Sequence, residues 1–243
     1  MAWDSWTLVW AALFMAGVVK GATGIGYATC ALPALATVIG LKAAMAVVLI
    51  PTFATNLSLA VSSRGNKPLL WRFSPLYVAM IPGVAAGVYL LPLIEQHIAT
   101  NLLGLLLIGY ALLSLTKPNW KLSPTHERTL KVPVGFINGL LTGITGSQVL
   151  PLVPYMLSAK LDACESIQAI NLGVLLLTTL LGVGLIATSA TDFALVQDSL
   201  MGAFPAMGGV YAGTMVRARL PQTQVRTLVF VTVGLIGCKM ISN

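Results

Sequence analysis

Long apolar runs separated by short polar stretches fill almost all of this 243-residue chain. Runs at 43–61, 74–93, 98–115, 167–187, 199–216 and 227–241 approach the roughly 20 residues that a helix needs to cross a bilayer. Six crossings are predicted, the last of them short. Two other apolar segments are interrupted: GVVKGATGIGYATCALPAL from Gly17 and GFINGLLTGITGSQVLPLV from Gly135. Gly17, Gly21 and Pro33 recur 118 residues later as Gly135, Gly139 and Pro151. Paired Gly- and Pro-interrupted segments in matching positions of two halves point to a substrate site in a transport protein.

Composition agrees with a membrane setting. Hydrophobic residues make up 57% of the chain and charged residues 9%, too little polar surface for a water-soluble domain of this size. The opening MAWDSWTLVWAALF has no basic n-region and no cleavage site at a suitable distance, so it is expected to stay attached. Cys30, Cys164 and Cys238 have neither metal nor disulfide spacing, and no cofactor or metal is expected. The net charge of +7 resides in short loops, which suits orientation in a membrane and not nucleic-acid binding.

Those charges predict a topology. The loop with Arg64, Lys67 and Arg72 and the linker with Lys117, Lys121, Arg128 and Lys131 should both face the cytoplasm. In the second half, Arg217, Arg219 and Arg226 face inward and Asp192 and Asp198 outward only if the segment 132–157 enters and returns on one side. The 9-residue limb 132–140, about 13 Å as helix, is also too short to cross about 30 Å of hydrocarbon. By the same logic Asp4 and Glu95 lie outside, as do both termini, and the halves are inverted relative to each other. The expectation is an all-α integral membrane protein of two inverted-topology repeats. Each has a broken, re-entrant hairpin and three transmembrane helices, about ten helical segments in all. The first repeat covers 1–116, a basic cytoplasmic linker 117–131 and the second repeat 132–243.

The broken segments supply the candidate chemistry. Gly21, Gly24 and Gly26, with Gly139, Gly143 and Gly146, permit turns and close approach to a ligand. Helix N-termini following each turn would offer free N–H groups and partial positive charge to a small anion. Lys20, Thr23, Tyr27 and Thr29 accompany the first turn, and Asn138, Thr142, Thr145, Ser147 and Gln148 the second. Lys20 is read as an anion ligand, against the alternative of a lysine that snorkels to the cytoplasmic surface. Cys30, Asn56, Gln168 and Asn171 are candidates for lining the path, with interhelical hydrogen bonding as the competing role for the amides. Gly83-x3-Gly87 and Gly209-x3-Gly213 read as helix-packing motifs, and Asp162 and Glu165 as caps. His97 and His126 fall in predicted loops, away from any proton relay. An intramembrane enzyme would need a nucleophile with a base or a metal cluster, and the apolar runs hold neither.

These duplicated glycine-rich segments, each leading into Leu-Pro, resemble the sulfite exporter TauE/SafE family, also known as the toluene-sulfonate uptake permeases. The basic central linker and the pattern at 82–87, echoed at 205–213, extend the resemblance over about 8–241. The resemblance implies a secondary transporter, as an exporter, for sulfite or organosulfonates such as sulfoacetate, in a bacterial inner membrane. It implies alternating access, with lipid and the anion as partners and a homo-oligomer as an option. A sulfonate offers acceptor oxygens and one charge to helix-end N–H groups, hydroxyls, Asn138, Gln148 and Lys20. The alternatives are a transporter of another small anion, such as a carboxylate, or a passive anion channel.

Overall fold

Proline and glycine punctuate the helices where the sequence places them. The computed structural model describes residues 3–62, 66–116, 121–188, 191–217 and 222–242. Helix α1 (Trp3–Thr23) stops at Gly24 and Gly26, whose φ angles of 84° and 93° are open to glycine at little cost. The Thr23 hydroxyl meets the carbonyls of Val19 and Ile25 at 2.8 and 2.7 Å, closing the helix end. The chain restarts as α2 (Tyr27–Ile39), turns at Gly40 and continues as α3 (Leu41–Ser62). A short α4 (Asn66–Arg72) leads to α5 (Ser74–Leu90), a 3-10 turn (Leu91–Leu93) and α6 (Gln96–Thr116).

The second half opens with α7 (Pro124–Thr145), capped by Ser123 at one end and by Gly146 at the other. An irregular stretch, 146–151, leads to α8 (Leu152–Ser158). Then follow α9 (Ala163–Ala187), α10 (Phe193–Arg217) and α11 (Gln222–Ser242). Asp162 and Glu165 form a reciprocal capping box on α9, the role expected of them. All the described regular structure is helical, eleven α-helices where about ten were expected. Five of them (α1, α3, α5, α6 and α9) contain windows long and apolar enough to cross a membrane. The protein is an integral membrane protein of helical class.

The six apolar runs all fall within helices, but two expectations need correction. Helix α7 is 22 residues, about 33 Å, because residues 124–131 of the expected linker are its first two turns. The short-limb argument for re-entry therefore fails. The return itself is present: the Leu122 N–H donates to the Ser158 carbonyl at 2.9 Å and the Tyr155 hydroxyl to the Glu127 carbonyl at 2.8 Å, so α8 ends beside the start of α7. The expected loop with Lys67 and Arg72 contains helix α4. Arg64, Lys117 and Arg219 lie outside the described residues.

Close glycine crossings hold the bundle together, one of α6 on α11 at Gly104 and Gly237 and two that involve the broken helices. Gly17 and Gly21 of α1 meet Gly209 and Gly213 of α10, while Gly135, Gly139 and Gly143 of α7 meet α5 at Leu76, Gly83 and Gly87. At Gly143 an added Cβ would come within 2.6 Å of the Gly87 Cα, so backbone touches backbone there. The two crossings pair the broken helix of each half with a helix of the other. Pro51 leaves the Val47 carbonyl of α3 without its usual N–H donor, and the Ser199 hydroxyl of α10 donates to that carbonyl at 2.9 Å.

At one end of the molecule, Arg72 clamps the α7–α8 hairpin. Its guanidinium donates to both carboxylate oxygens of Glu127, at 3.1 and 2.9 Å, and to the Lys160 carbonyl at 3.3 Å. Hydrogen bonding to Glu127 holds the Arg72 guanidinium above its ordinary pKa. Lys131 donates to the Arg72 carbonyl, and both cations lie over the Phe73 ring.

Candidate anion-binding chamber

Where α1 breaks, its last turn carries Lys20 into the middle of the bundle. The side chain is buried, and its ammonium donates to Asn56 Oδ1 of α3 at 2.6 Å and to Asn171 Oδ1 of α9 at 3.3 Å. Each amide is aimed by its own NH2 group: Asn56 donates to the Thr52 carbonyl, and Asn171 to the carbonyls of Ile167 and Gly24. Both oxygens therefore converge on the ammonium. An ammonium at the centre of a bilayer-spanning helix costs about 2.5–3.5 kcal/mol on insertion scales, and neutral carbonyls offset that only in part.

Beside Lys20 lies a chamber whose lining includes Gly26, Tyr27, Thr29, Asn56, Gln148 and Asn171. The described lining holds no carboxylate. The first turn of α2 forms one wall. Among the described residues, Gly26 has nothing within 4 Å of the place where a Cβ would stand, so the backbone is bare to the space. The Tyr27 side chain is buried and its hydroxyl has no hydrogen-bond partner among the described residues. Gln148 also lines it; its Nε2 donates to the Thr178 hydroxyl at 2.9 Å and its Oε1 has no partner among the described residues. The free volume is 20 Å3, room for about one water.

The broken segments thus meet in one place, though not with equal roles. Lys20, Gly26, Tyr27, Thr29 and Gln148 reach the chamber, as do Asn56 and Asn171. Gly21, Gly139 and Gly143 do not: the sequence reading placed them at the ligand, whereas close helix crossing claims all three. Gly24 packs against Ile167, and Gly146 against Met45 and Leu32. Thr23 closes the end of α1. Asn138, at the position matching Lys20, accepts from the Leu152 N–H at 2.9 Å and donates to the Gln148 carbonyl at 3.5 Å, bracing the loop. Thr142, Thr145 and Ser147 complete that brace, with the Thr142 hydroxyl on the Asn138 and Ser147 carbonyls and the Ser147 N–H on the Thr145 hydroxyl.

The symmetric pair of anion-binding helix ends is not what the chain builds. Helix α8 is only 7 residues long, and Asn138 already caps its first N–H. Among the candidates for the path, Cys30 packs at the edge of the apolar core and Gln168 donates to Cys164 Sγ at 3.4 Å, away from the chamber. Tyr110 of α6 also lines the chamber, a residue the sequence pattern does not mark. A lone tyrosine inside an apolar run carries no spacing signal, and its edge-on contact with Phe230, at 5.2 Å between centroids, arises from tertiary packing.

The model of the family described as sulfite exporter TauE/SafE matches residues 9–240, nearly the whole chain. No curated protein and no solved structure matches it significantly.

Proposed function

Because the chain belongs to the sulfite exporter TauE/SafE family, a family of membrane transporters, we propose that it is a secondary transporter that binds a small sulfur-containing anion beside Lys20. The observation that carries this reading is the buried ammonium held by two neutral amides in a chamber lined without a carboxylate. A sulfite or sulfonate would supply the missing negative charge. Its oxygens suit the donors at hand: the Lys20 ammonium, the Tyr27 hydroxyl and the first-turn N–H groups of α2.

The volume supports alternating access. A space of 20 Å3 takes a water but no sulfonate, so binding requires the walls to part. In this proposal the two halves are inverted repeats, which fits the reciprocal crossings of α1 on α10 and α7 on α5. The membrane is the bacterial inner membrane, the termini lie outside and the transporter works as an exporter. Thermal-shift screening of purified protein against sulfite, sulfoacetate, taurine, sulfate and simple carboxylates tests the substrate class. Stabilisation by sulfite or a sulfonate above the carboxylates is expected, and an indifferent melting curve throughout would refute it.

A further inference from the structure

Four buried side-chain polar atoms lack a hydrogen-bond partner among the described residues: Tyr27 Oη, Gln148 Oε1, Thr52 Oγ1 and Thr191 Oγ1. They are not scattered. Tyr27 faces the chamber beside Lys20, and Gln148 belongs both to that chamber and to a second space of 10 Å3 that Thr52 and Thr178 also line. Thr178 and Leu49 are in turn shared by this second space and a groove of 210 Å3 between α3, α9 and α10, where Thr191 lies. Three spaces therefore run in series, joined by common walls: Ala28 and Gln148 between the first two, Leu49 and Thr178 between the last two.

Unpartnered polar groups are costly in a membrane interior unless water or a ligand meets them. All four found among the described residues lie on the same line of cavities. We infer that this line is the translocation path on one side of the site, with Thr52, Gln148 and Thr178 forming its gate. The inference rests on the anion-transport reading and adds to it a route and a gate. The gate is shut in this structure, because the Gln148 amide bonds across the space to Thr178. Swinging that amide off Thr178 joins the chamber to the groove, and the freed Nε2 becomes a donor to the passing anion. The Thr178 hydroxyl stays satisfied meanwhile, because it donates to the Val174 carbonyl at 2.7 Å.

Cysteine accessibility tests the route without reference to substrate. In a background with Cys30, Cys164 and Cys238 changed to alanine, Thr178→Cys and Thr191→Cys are placed in lipid nanodiscs, which expose both faces. They are treated with a sulfonated methanethiosulfonate and compared with Leu112→Cys on the outer surface of α6. A wet path predicts reaction about 10-fold faster at Thr178→Cys than at Leu112→Cys, since the thiolate needs water to form, with Thr191→Cys, on the loop between α9 and α10, giving the rate at the mouth. Reaction as slow as at Leu112→Cys means that lipid fills the groove and overturns the inference. Thr52→Cys, on the same narrow space, replaces Thr178→Cys if that variant does not fold. In proteoliposomes, alkylation of Thr178→Cys by iodoacetate, whose thioether sulfite does not cleave as it would a mixed disulfide, should stop labelled-sulfite counterflow while sulfite still raises the melting temperature. Undiminished counterflow also overturns the inference. If the unmodified protein carries no sulfite, the transport reading fails and the labelling rates alone decide the path.

Discussion

Lys20 and Asn171, 151 positions apart in the chain, share a hydrogen bond of 3.3 Å at the centre of the bundle. With the 2.6 Å bond from Lys20 to Asn56 it ties three helices to one ammonium, and both acceptors are uncharged. Neutral partners leave the positive charge available to a ligand. A carboxylate in either place would consume it.

That difference makes Asn56→Asp informative. The new carboxylate would pair with Lys20 and neutralise the site from within. The new carboxylate also loses the bond to the Thr52 carbonyl, which offsets the gain of the pair, so the variant is expected to fold with a melting temperature near the parent's and to lose sulfite binding by about 10-fold or more, consistent with the worth of a charged hydrogen bond. Melting curves with and without sulfite check both halves.

Ser199 tests how the chain tolerates Pro51. Ser199→Ala removes the hydroxyl that donates to the Val47 carbonyl and accepts from the Ile50 N–H. A loss of about 1 kcal/mol is expected, near the upper part of the range for hydrogen bonds between membrane helices. Chemical unfolding in mixed micelles measures it. A control at Thr179, whose hydroxyl bonds only within its own helix, should change little on mutation to valine.

Glycine roles separate by substitution. Gly143→Ala would force a Cβ to 2.6 Å from the Val88 nitrogen and the Gly87 Cα, separating α7 from α5. Gly26→Ala meets no atom of the described residues within 4 Å and bears only the strain of φ 93°, about 1–2 kcal/mol. Monodisperse elution by fluorescence-detected size exclusion is expected for Gly26→Ala and not for Gly143→Ala.

The clamp at the hairpin mouth predicts a local effect. Arg72→Lys loses the forked pair of bonds to Glu127, and a lysine cannot restore them. Amide hydrogen exchange at 121–131 should accelerate severalfold while exchange in α6 is unchanged.

Much of this was readable from the sequence, for physical reasons that differ by residue. Apolar runs located the long helices because a bilayer imposes length, and the glycine pairs at 83–87 and 209–213 announced close packing because only small residues permit it. Lys20 stood out because a deep ammonium is expensive. Asn138 misled because it shares a segment and a repeat position with Lys20, yet its amide braces the loop at Leu152. Helix α7 was read too short because its first turns are polar, a pattern that marks a helix emerging from lipid as readily as a linker. Tyr110 and Thr178 left no signal at all, since each reaches its place only through packing of distant helices.

The role of Lys20 is tested most directly by labelled-sulfite binding to purified protein with Lys20→Met, a side chain of similar length without charge. Affinity should fall by about 10- to 100-fold, the worth of a charged hydrogen bond, with the fold retained by circular dichroism and size exclusion. Unchanged affinity in a folded Lys20→Met protein would contradict the assignment of the anion to this chamber.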